Sequence, residues 1–567
     1  MKMLAPPYLA GYVLEGLLSV LGGSAMKRFI PLLFITLFFY NLALAGESVR
    51  SIVVLEGTPL CLVANEAMVA GDKGLSITFT KFSKSLAAMI SEAKIVPDSL
   101  TKFALHSVVV EMPKEKVRLL DFVEGVISYE PVKKVKIAVV GEPRRISRDD
   151  ASVLLDRSVN HIGANVLHDR GLRGDGIRIA IVDTGIDWTH RDLGGGLGEG
   201  YKVEKAIHAV SPKAFPMDDN GHGTHVSGIA AGLKGVAPGA RLWGIKVLNK
   251  DGVGYTDWIL KGIERALDFD LDPSTFDDQA DVMNLSLGGD DGDPYDAMSM
   301  ALSNAMIAGV VVAVAAGNSG PKFLTVGTPG TSRYAITVGA STLEDTRASF
   351  SSAGPVIQNS SVKPDIMAPG FEITSTIPDD KYATWSGTSM AAPHIAGAAA
   401  LVKEMLIKSG ASSISAFKIK SLLLLAAKDL NLDMFYQGYG RAKLDAVDKV
   451  PVIFDNTTLA FGQWRGGKKG PDYTATQRLV FENISSTQLK VSLSEGSGGD
   501  WKKGALFVST PEELELVVGG GSDLILDLFA KSGMGSPGGT GAFRLPIIIE
   551  TDSGWSRGIP LCIARMK

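Results

Sequence analysis

The sequence predicts an α/β fold, a mostly parallel sheet with helices on both faces, preceded by a small α+β unit and followed by an all-β sandwich. Three observations carry this reading. Between about residues 160 and 450, all-apolar runs such as "IRIAIVDTG", "ARLWGIKVL", "ADVMNLSLG", "GVVVAVAAGN" and "YAITVGAST" alternate with helical stretches such as "GYTDWILKGIERALDF" and "DAMSMALSNAMIAG". Runs apolar throughout suit strands buried on both faces, and strand–helix alternation gives a parallel sheet with its active site beyond the strands' carboxyl ends. Upstream, residues 46–150 mix strand-like runs with one amphipathic helical stretch. Downstream, over 451–567, helical periodicity disappears and strand-length runs such as "DYTATQRLVFENIS", "QLKVSLSEG" and "GAFRLPIIIETDSG" are separated by Gly, Ser, Asn and Asp, as in a small antiparallel sandwich. The stretch "KSGMGSPGGTG" is a flexible loop by composition.

Composition sets the bounds. A chain of 567 residues exceeds one compact domain, since roughly 100–200 residues make one. With 45% hydrophobic and 21% charged residues it is an ordinary globular chain rather than a disordered or many-span membrane protein. Its net charge of −4, without a long basic run, gives no reason to expect nucleic acid as a partner.

In chain order, the leader comes first. From Met26 the chain reads "MKRFIPLLFITLFFYNLALAGES": two basic residues, an apolar run, then Ala43-Leu44-Ala45, a small-x-small cleavage pattern. An export signal over 26–45 is expected, with residues 1–25 an over-long start or an extended leader. The apolar run is short for the roughly 20 residues of a membrane span. The chain is therefore expected to be secreted, with no stable membrane anchor after signal cleavage. Two cysteines, Cys61 and Cys562, lie near opposite ends, so no disulfide framework exists and stability must come from core burial, bound ions or both.

In the α+β unit, "SIVVLEG", "LSITFTKF", "KFALHSVVVEM" and "GVISYEPVKKVKIAVV" read as strands. "PKEKVRLLDFV" reads as a helix starting at Pro113, with Val117, Leu120, Phe122 and Val123 on one face. "GEPRRISRDD", charged and without apolar periodicity, reads as a linker and a cleavage zone.

Three motifs sit in loops of the α/β region. "AIVDTGID" leaves Asp183 at the end of a hydrophobic strand, where it either caps a turn or does chemistry. "DDNGHGTHVSG" places His222 and His225 before a small-residue helix; a metal reading lacks the Glu of an HExxH site. "SGTSMAAPH" puts Ser389 at the N-terminal edge of a helix, where free N–H groups and the positive dipole end favour developing negative charge. It is no GxSxG elbow, because Ala391 takes the last Gly position and the order is Asp183, His222, Ser389.

In that order and with those strings, the chain from about 160 to 445 resembles the subtilisin-like serine proteases. The resemblance implies that Ser389 attacks a peptide carbonyl, His222 moves the proton, and Asp183 orients His222. It implies Asn318, in "VAVAAGNSG", as the oxyanion-hole amide. It gives Gly252, Val253 and Gly254 in "DGVGYTD" the role of a strand pairing with an extended peptide. Ser286, Leu287 and Gly288 in "NLSLGG", with Ala315, Ala316 and Gly317, match the walls of the primary specificity pocket, and Gly327 matches its floor. A glycine floor with an uncharged Ser319 nearby implies large uncharged residues before the scissile bond. His394, the histidine nearest Ser389 in sequence, is left a structural role. Arg191 in "HRDL" stands where the family commonly has Pro, away from the chemistry.

Residues 75–140 resemble the family's inhibitory propeptide, which acts as an intramolecular chaperone with its tail in the active site. The expected organisation is leader and signal 1–45, propeptide 46–150, catalytic domain 151–450 and a sandwich over 451–567 that resembles fibronectin-type modules. The propeptide cut is expected between Gly141 and Ser158. Implied partners are protein or peptide substrates and the chain's own propeptide, and no cofactor is needed for catalysis. The family often binds structural calcium, but "DFDLDPSTFDDQAD" and "GGDDGDPYD" lack EF-hand spacing and read as solvated surface acids. Two other functions share this scaffold: peptide ligation or cyclisation by the same triad, and a non-catalytic binding protein, which would be expected to have lost a triad member.

Overall fold

The computed structural model describes residues 48–565 apart from 63–64, 155, 273–277, 412–413, 456, 458–459, 465–472, 498–499, 501–504 and 531–541. The leader and signal reading over 1–45 and the loop "KSGMGSPGGTG" lie outside the described residues.

The first unit contains β1 (Ser48–Leu55), α1 (Asn65–Met89), β2 (Lys94–Ile95), β3 (Ser107–Pro113) and β4 (Val126–Pro131). Its sheet is antiparallel in the order β2-β3-β1-β4. Phe82, Leu86 and Ile90 share a core there with Val53, Leu55, Val108, Val110 and Met112. "LSITFTKF", expected as a strand, lies within α1. Buried Leu75, Phe82 and Leu86 recur at helical spacing while Ile77 is 60% exposed. The β-branched Ile77, Thr78 and Thr80 had suggested a strand, and the packing face overrides them. "PKEKVRLLDFV" forms a 3-10 helix over Lys114–Phe122, with Leu120 buried but Phe122 71% exposed.

The run after Gly125 splits into β4 and β5 (Lys134–Ile137). "GEPRRISRDD" is structured rather than a free linker. It forms most of β6 (Val140–Ile146), antiparallel to the strand Lys381–Ser386, and then enters α2 (Arg148–Leu154). Exposed side chains on a strand held by its backbone give linker-like composition, because the ladder leaves no apolar signature.

The central sheet has seven strands: β7 (Arg178–Asp183), β8 (Val203–His208), β9 (Arg241–Lys246), β11 (Val282–Leu285), β13 (Val311–Ala315), β14 (Ile336–Ser341) and β15 (Ile366–Pro369). Short β10 (Val253–Tyr255) and β12 (Leu287–Gly288) lie outside it, as do β16 (Ile373–Ile377) and β17 (Lys381–Ser386). The order is β15-β14-β13-β11-β7-β9-β8, and every neighbouring pair is parallel. Helices α3 (His222–Ala231), α4 (Thr256–Leu267), α5 (Ala297–Ile307), α6 (Thr388–Lys408) and α7 (Ala416–Ala426) flank it. Among the described residues α6 is the one helix long and apolar enough to cross a membrane, and it is buried in this core. It packs on α3 and on five strands of the sheet. A Cβ at Gly397 would lie 2.7 Å from the Ala230 carbonyl, so the small-residue run sets the approach of α6 to α3.

The C-terminal region is all β. It forms antiparallel sheets over 452–530 and 489–559, and a third, mixed sheet that includes the last strand, Cys562–Arg565. Its core residues Phe454, Phe481, Leu526 and Ile549 belong to the same buried cluster as the central sheet. Cys61 and Cys562 are both buried and unpaired with each other.

Candidate active site

Asp183 is the last residue of β7, whose buried strand delivers it to the carboxyl edge of the sheet. The glycines of the two flanking motifs explain how a histidine 39 residues away reaches it. A Cβ at Gly223 would lie 2.1 Å from the Gly185 carbonyl, and one at Gly185, at φ +106°, 2.5 Å from the Pro216 carbonyl. Without side chains there, the first turn of α3 rests on the loop after β7. His222 Nδ1 then lies 2.8 Å from Asp183 Oδ1, both side chains fully buried. The same Asp183 oxygen accepts the Thr184 N–H at 2.7 Å. Among the described residues His222 Nε2 is buried with no hydrogen-bond partner.

Asp218 escaped the sequence reading and organises this loop. It accepts the Thr184 and Thr224 hydroxyls and the N–H groups of Asn220, Gly221 and Thr224 at 2.6–3.0 Å. Its position just before the His222 motif was the available signal. Trp385 sets its ring edge-on to His222 and His225, with centroids 5.8 and 5.6 Å away. His225 gives Nε2 to the Ala383 carbonyl at 3.0 Å, and burial pulls its pKa down to about 3, so it stays neutral. Among the described residues neither histidine belongs to a metal-ligating cluster.

Ser389 sits in the first turn of α6. Pro393 offers no N–H to the Ser389 carbonyl one turn back, and that oxygen instead accepts the Ser286 hydroxyl at 2.8 Å. Ser389 Oγ donates to the Ser286 carbonyl at 2.8 Å and accepts the Ala138 N–H at 3.0 Å. Its backbone N–H donates to the Ala138 carbonyl at 3.2 Å. Asn318 Oδ1 accepts both the N–H and the hydroxyl of Thr388 at 3.0 Å, which leaves its NH2 as the end able to donate. His394 bonds the Met390 carbonyl and Ser158 Oγ, both at 2.8 Å, and burial lowers its pKa to about 4. It is a structural residue, as the motif order implied.

The remaining expected residues form one cleft, and part of the chain fills it. Strand β5 lies antiparallel between β10 and β12, with Val253 opposite Lys136, Gly254 opposite Val135, and Leu287 opposite Ile137. Ile137 N–H donates to the Gly252 carbonyl at 3.0 Å, and Ala138 N–H to that of Ser286 at 3.3 Å. Beside Ala138 opens a cavity of about 360 Å³ lined by Leu287, Gly288, Ala315, Ala316, Gly317, Asn318 and Gly327. A Cβ at Gly327 would lie 2.0 Å from the Gly289 carbonyl, so the floor admits glycine alone without backbone movement. Asp290 also lines the cavity and accepts the Ser319 hydroxyl at 3.2 Å; the sequence reading had not singled it out.

The acidic loops divide. Asp290, Asp291 and Asp293 are exposed, as expected, whereas Asp296 is buried and caps α5 through the Ser299 N–H. In the other loop Asp268, Asp270 and Asp278 bring carboxylate oxygens within 4.8 Å of one another. Asp268 is fully buried, which corrects its reading as a solvated acid. Burial first, then the facing Asp278 and Asp270, push its pKa up to about 8. Asp278 is already engaged by Lys205 at 2.9 Å and by the Phe269 N–H. Among the described residues three carboxylates meet here, one of them paired with Lys205, and the crowding of like charges around buried Asp268 favours its protonated form.

A seven-stranded parallel sheet flanked by helices, with Asp183 at its carboxyl edge bonded to His222, has the architecture of a protease of the subtilisin type. The chain belongs to the subtilase family, whose profile matches residues 174–441, and it is a serine endopeptidase. It is 39% identical over 293 residues to Subtilisin DY of Bacillus licheniformis, covering 50% of this chain and 95% of that protein. It is 40% identical over 253 residues to Subtilisin E of Bacillus subtilis, covering 43% and 60%. A protein named intracellular serine protease from Paenibacillus polymyxa is 36% identical over 297 residues, covering 51% and 85%.

Proposed function

We propose that this chain is a secreted, self-maturing endopeptidase that cuts peptide bonds through an acyl-enzyme on Ser389. The observation that carries the reading is a peptide carbonyl, that of Ala138, lying on the Ser389 N–H, in a fold that also pairs buried His222 with Asp183. A serine hydroxyl is too weakly acidic to attack unaided. Rotation of its side chain away from the Ser286 carbonyl gives its proton to His222 Nε2. Asp183 fixes the tautomer and stabilises the imidazolium that results. The oxygen of the tetrahedral intermediate is then held by the Ser389 N–H, at the positive end of α6, and by the Asn318 NH2. His222 returns the proton to the departing amine, and water repeats the sequence on the ester.

In this reading residues 26–45 export the chain, 46–150 are a propeptide acting as intramolecular inhibitor, 151–450 catalyse and 451–567 steady the catalytic domain. The inhibitor role is supported by its grip on α4 and α5. Glu264 accepts the N–H groups of Lys102, Phe103 and Ala104, Glu130 accepts that of Ala297, and Arg50 pairs with Asp257 at 3.2 Å. The cavity favours large uncharged residues before the scissile bond. Asp290 at its wall adds repulsion of about 1 kcal/mol against an acidic one. A peptide library should therefore rank Leu, Met and Phe above Asp and Glu, with Asp290→Asn narrowing the gap roughly fivefold. A profile dominated by Arg or Lys would refute the pocket reading.

The central test is Ser389→Ala in the full chain. It should abolish both peptide hydrolysis and propeptide release, and an unchanged processing pattern would overturn the mechanism. Product analysis showing hydrolysed rather than ligated or cyclised peptide separates hydrolysis from transfer.

A further inference from the structure

We infer that the bond this chain cuts in itself is Ala138–Val139, and that the cut is made within a single molecule. The inference rests on the serine-protease reading above and adds to it the position of the bond, which composition had placed downstream between Gly141 and Ser158.

Hydrogen bonding on both sides of Ser389 fixes the register. Upstream, Lys134–Ile137 is the middle strand between Val253–Tyr255 and Leu287–Gly288. Val135 is buried there while Lys134 and Lys136 are exposed. A slip of one residue would bury a lysine in place of Val135, so the alternation resists slippage. Downstream, Val140–Ile146 leaves that sheet and pairs with Lys381–Ser386, with Val140 opposite Ser386. The chain therefore crosses the nucleophile between Ile137 and Val140. Within that crossing Ser389 touches Ala138 twice, by Oγ on its N–H at 3.0 Å and by N–H on its carbonyl at 3.2 Å. The Ala138 carbonyl carbon lies between those two contacts. A Cβ at Gly387 would come 2.4 Å from the Ala138 oxygen, so the glycine before Thr388 is what admits this carbonyl. The bonds after Val140 are spaced along β6 and α2 instead.

In the cut, Ser389 Oγ bonds to the Ala138 carbonyl carbon and gives its proton to His222. The bond to the Val139 nitrogen breaks, and that nitrogen receives the proton as a new amine. Water then adds to the Ala138 ester, restores the Ser389 hydroxyl and leaves a carboxylic acid at Ala138. The small Ala138 side chain leaves most of its 360 Å³ cavity unfilled. Positioning for the cut thus comes from the paired strands and the covalent tether rather than from the pocket.

The test is to fold the full chain, quench at early times in acid, and measure intact fragment masses and the N-terminal sequence of the larger fragment. The earliest pair should end at Ala138 and begin at Val139, at a first-order rate unchanged by tenfold dilution. A first cut elsewhere, within 141–158 included, or a rate falling with dilution, overturns the inference while hydrolysis of an added peptide leaves the protease reading standing. Ser389→Ala should give no such fragment; the same fragment from that variant also overturns it. Val139→Pro, judged by circular dichroism to be folded, should slow the Ala138 fragment at least tenfold. Should that variant not fold, the wild-type masses decide alone.

Discussion

At Asn318 a single amide illustrates how side-chain roles are set by what surrounds them. Both of its Oδ1 contacts go to Thr388, the residue before the proposed nucleophile, so the amide is held and its NH2 is presented ready-made. Preorganised donors act on the charge that develops in the transition state rather than on the substrate. Asn318→Ala should therefore lower kcat by roughly 10²–10³, about 3 kcal/mol in the barrier, the usual loss for one oxyanion donor in this type of site. KM should scarcely move, and steady-state kinetics on a small peptide checks the split. His225 and His394 show the converse. Each looked chemically available in the sequence, and each is buried, bonded to a carbonyl and held neutral.

Among the elements, α4 and α5 matter through what the N-terminal unit does to them. Glu130 lies at the N-terminus of α5, and burial pushes its pKa up to about 7, with Asp296 and Asp293 adding to the rise and Lys133 opposing it. An exposed Glu titrates near 4.3. A carboxyl whose pKa is higher in the docked state binds its proton more tightly there. The grip is therefore complete below about pH 4 and weakens as pH rises through about 7, by up to tenfold per pH unit from this group. Buried Glu264, also raised, acts in the same direction. Under the proposed maturation, dissociation of the cleaved N-terminal unit, followed by the return of peptidase activity, should be faster at pH 8 than at pH 5. Glu130→Gln, which keeps an acceptor for the Ala297 N–H, should flatten that dependence; an unchanged slope would assign the pH response to other groups.

Across the whole molecule, the β-rich C-terminal region shares its buried core with the catalytic sheet, and Arg544 ties the two by pairing with Asp433 at 2.6 Å over the Phe323 and Phe435 rings. Global stability also carries the cost of Asp268. Its carboxyl is raised in the fold to about 8, against about 3.9 when the chain is open. The stability this group allows is fully present below about pH 4 and declines as pH rises to about 8. Asp268→Asn should accordingly raise the melting temperature, by more at pH 8 than at pH 5, and a chelator should leave the melt unchanged. A lower melting temperature in the variant together with a chelator effect would instead establish calcium at this cluster.

The sequence by itself determined the sheet order's raw material, the apolar strands and the small-residue helix, because burial on both faces forces composition. It also determined the three motifs and their glycines, because Gly185 and Gly223 occupy positions where a Cβ would strike backbone. Asp218, Asp290 and Trp385 stayed hidden, since an Asp or Trp in a polar loop or strand has no periodicity to announce its contacts. "LSITFTKF" misled because local β-propensity yields to a packing face visible only across the whole of α1. Only the tertiary structure decided what residues 134–146 do. Residues 134–140 read as part of a strand and the charged stretch from Gly141 as a linker, while the backbone of 134–146 forms a strand on each side of Ser389 and lays the Ala138 carbonyl on its N–H. Backbone pairing is nearly independent of side-chain identity, so a segment that docks through it leaves little trace in its own sequence.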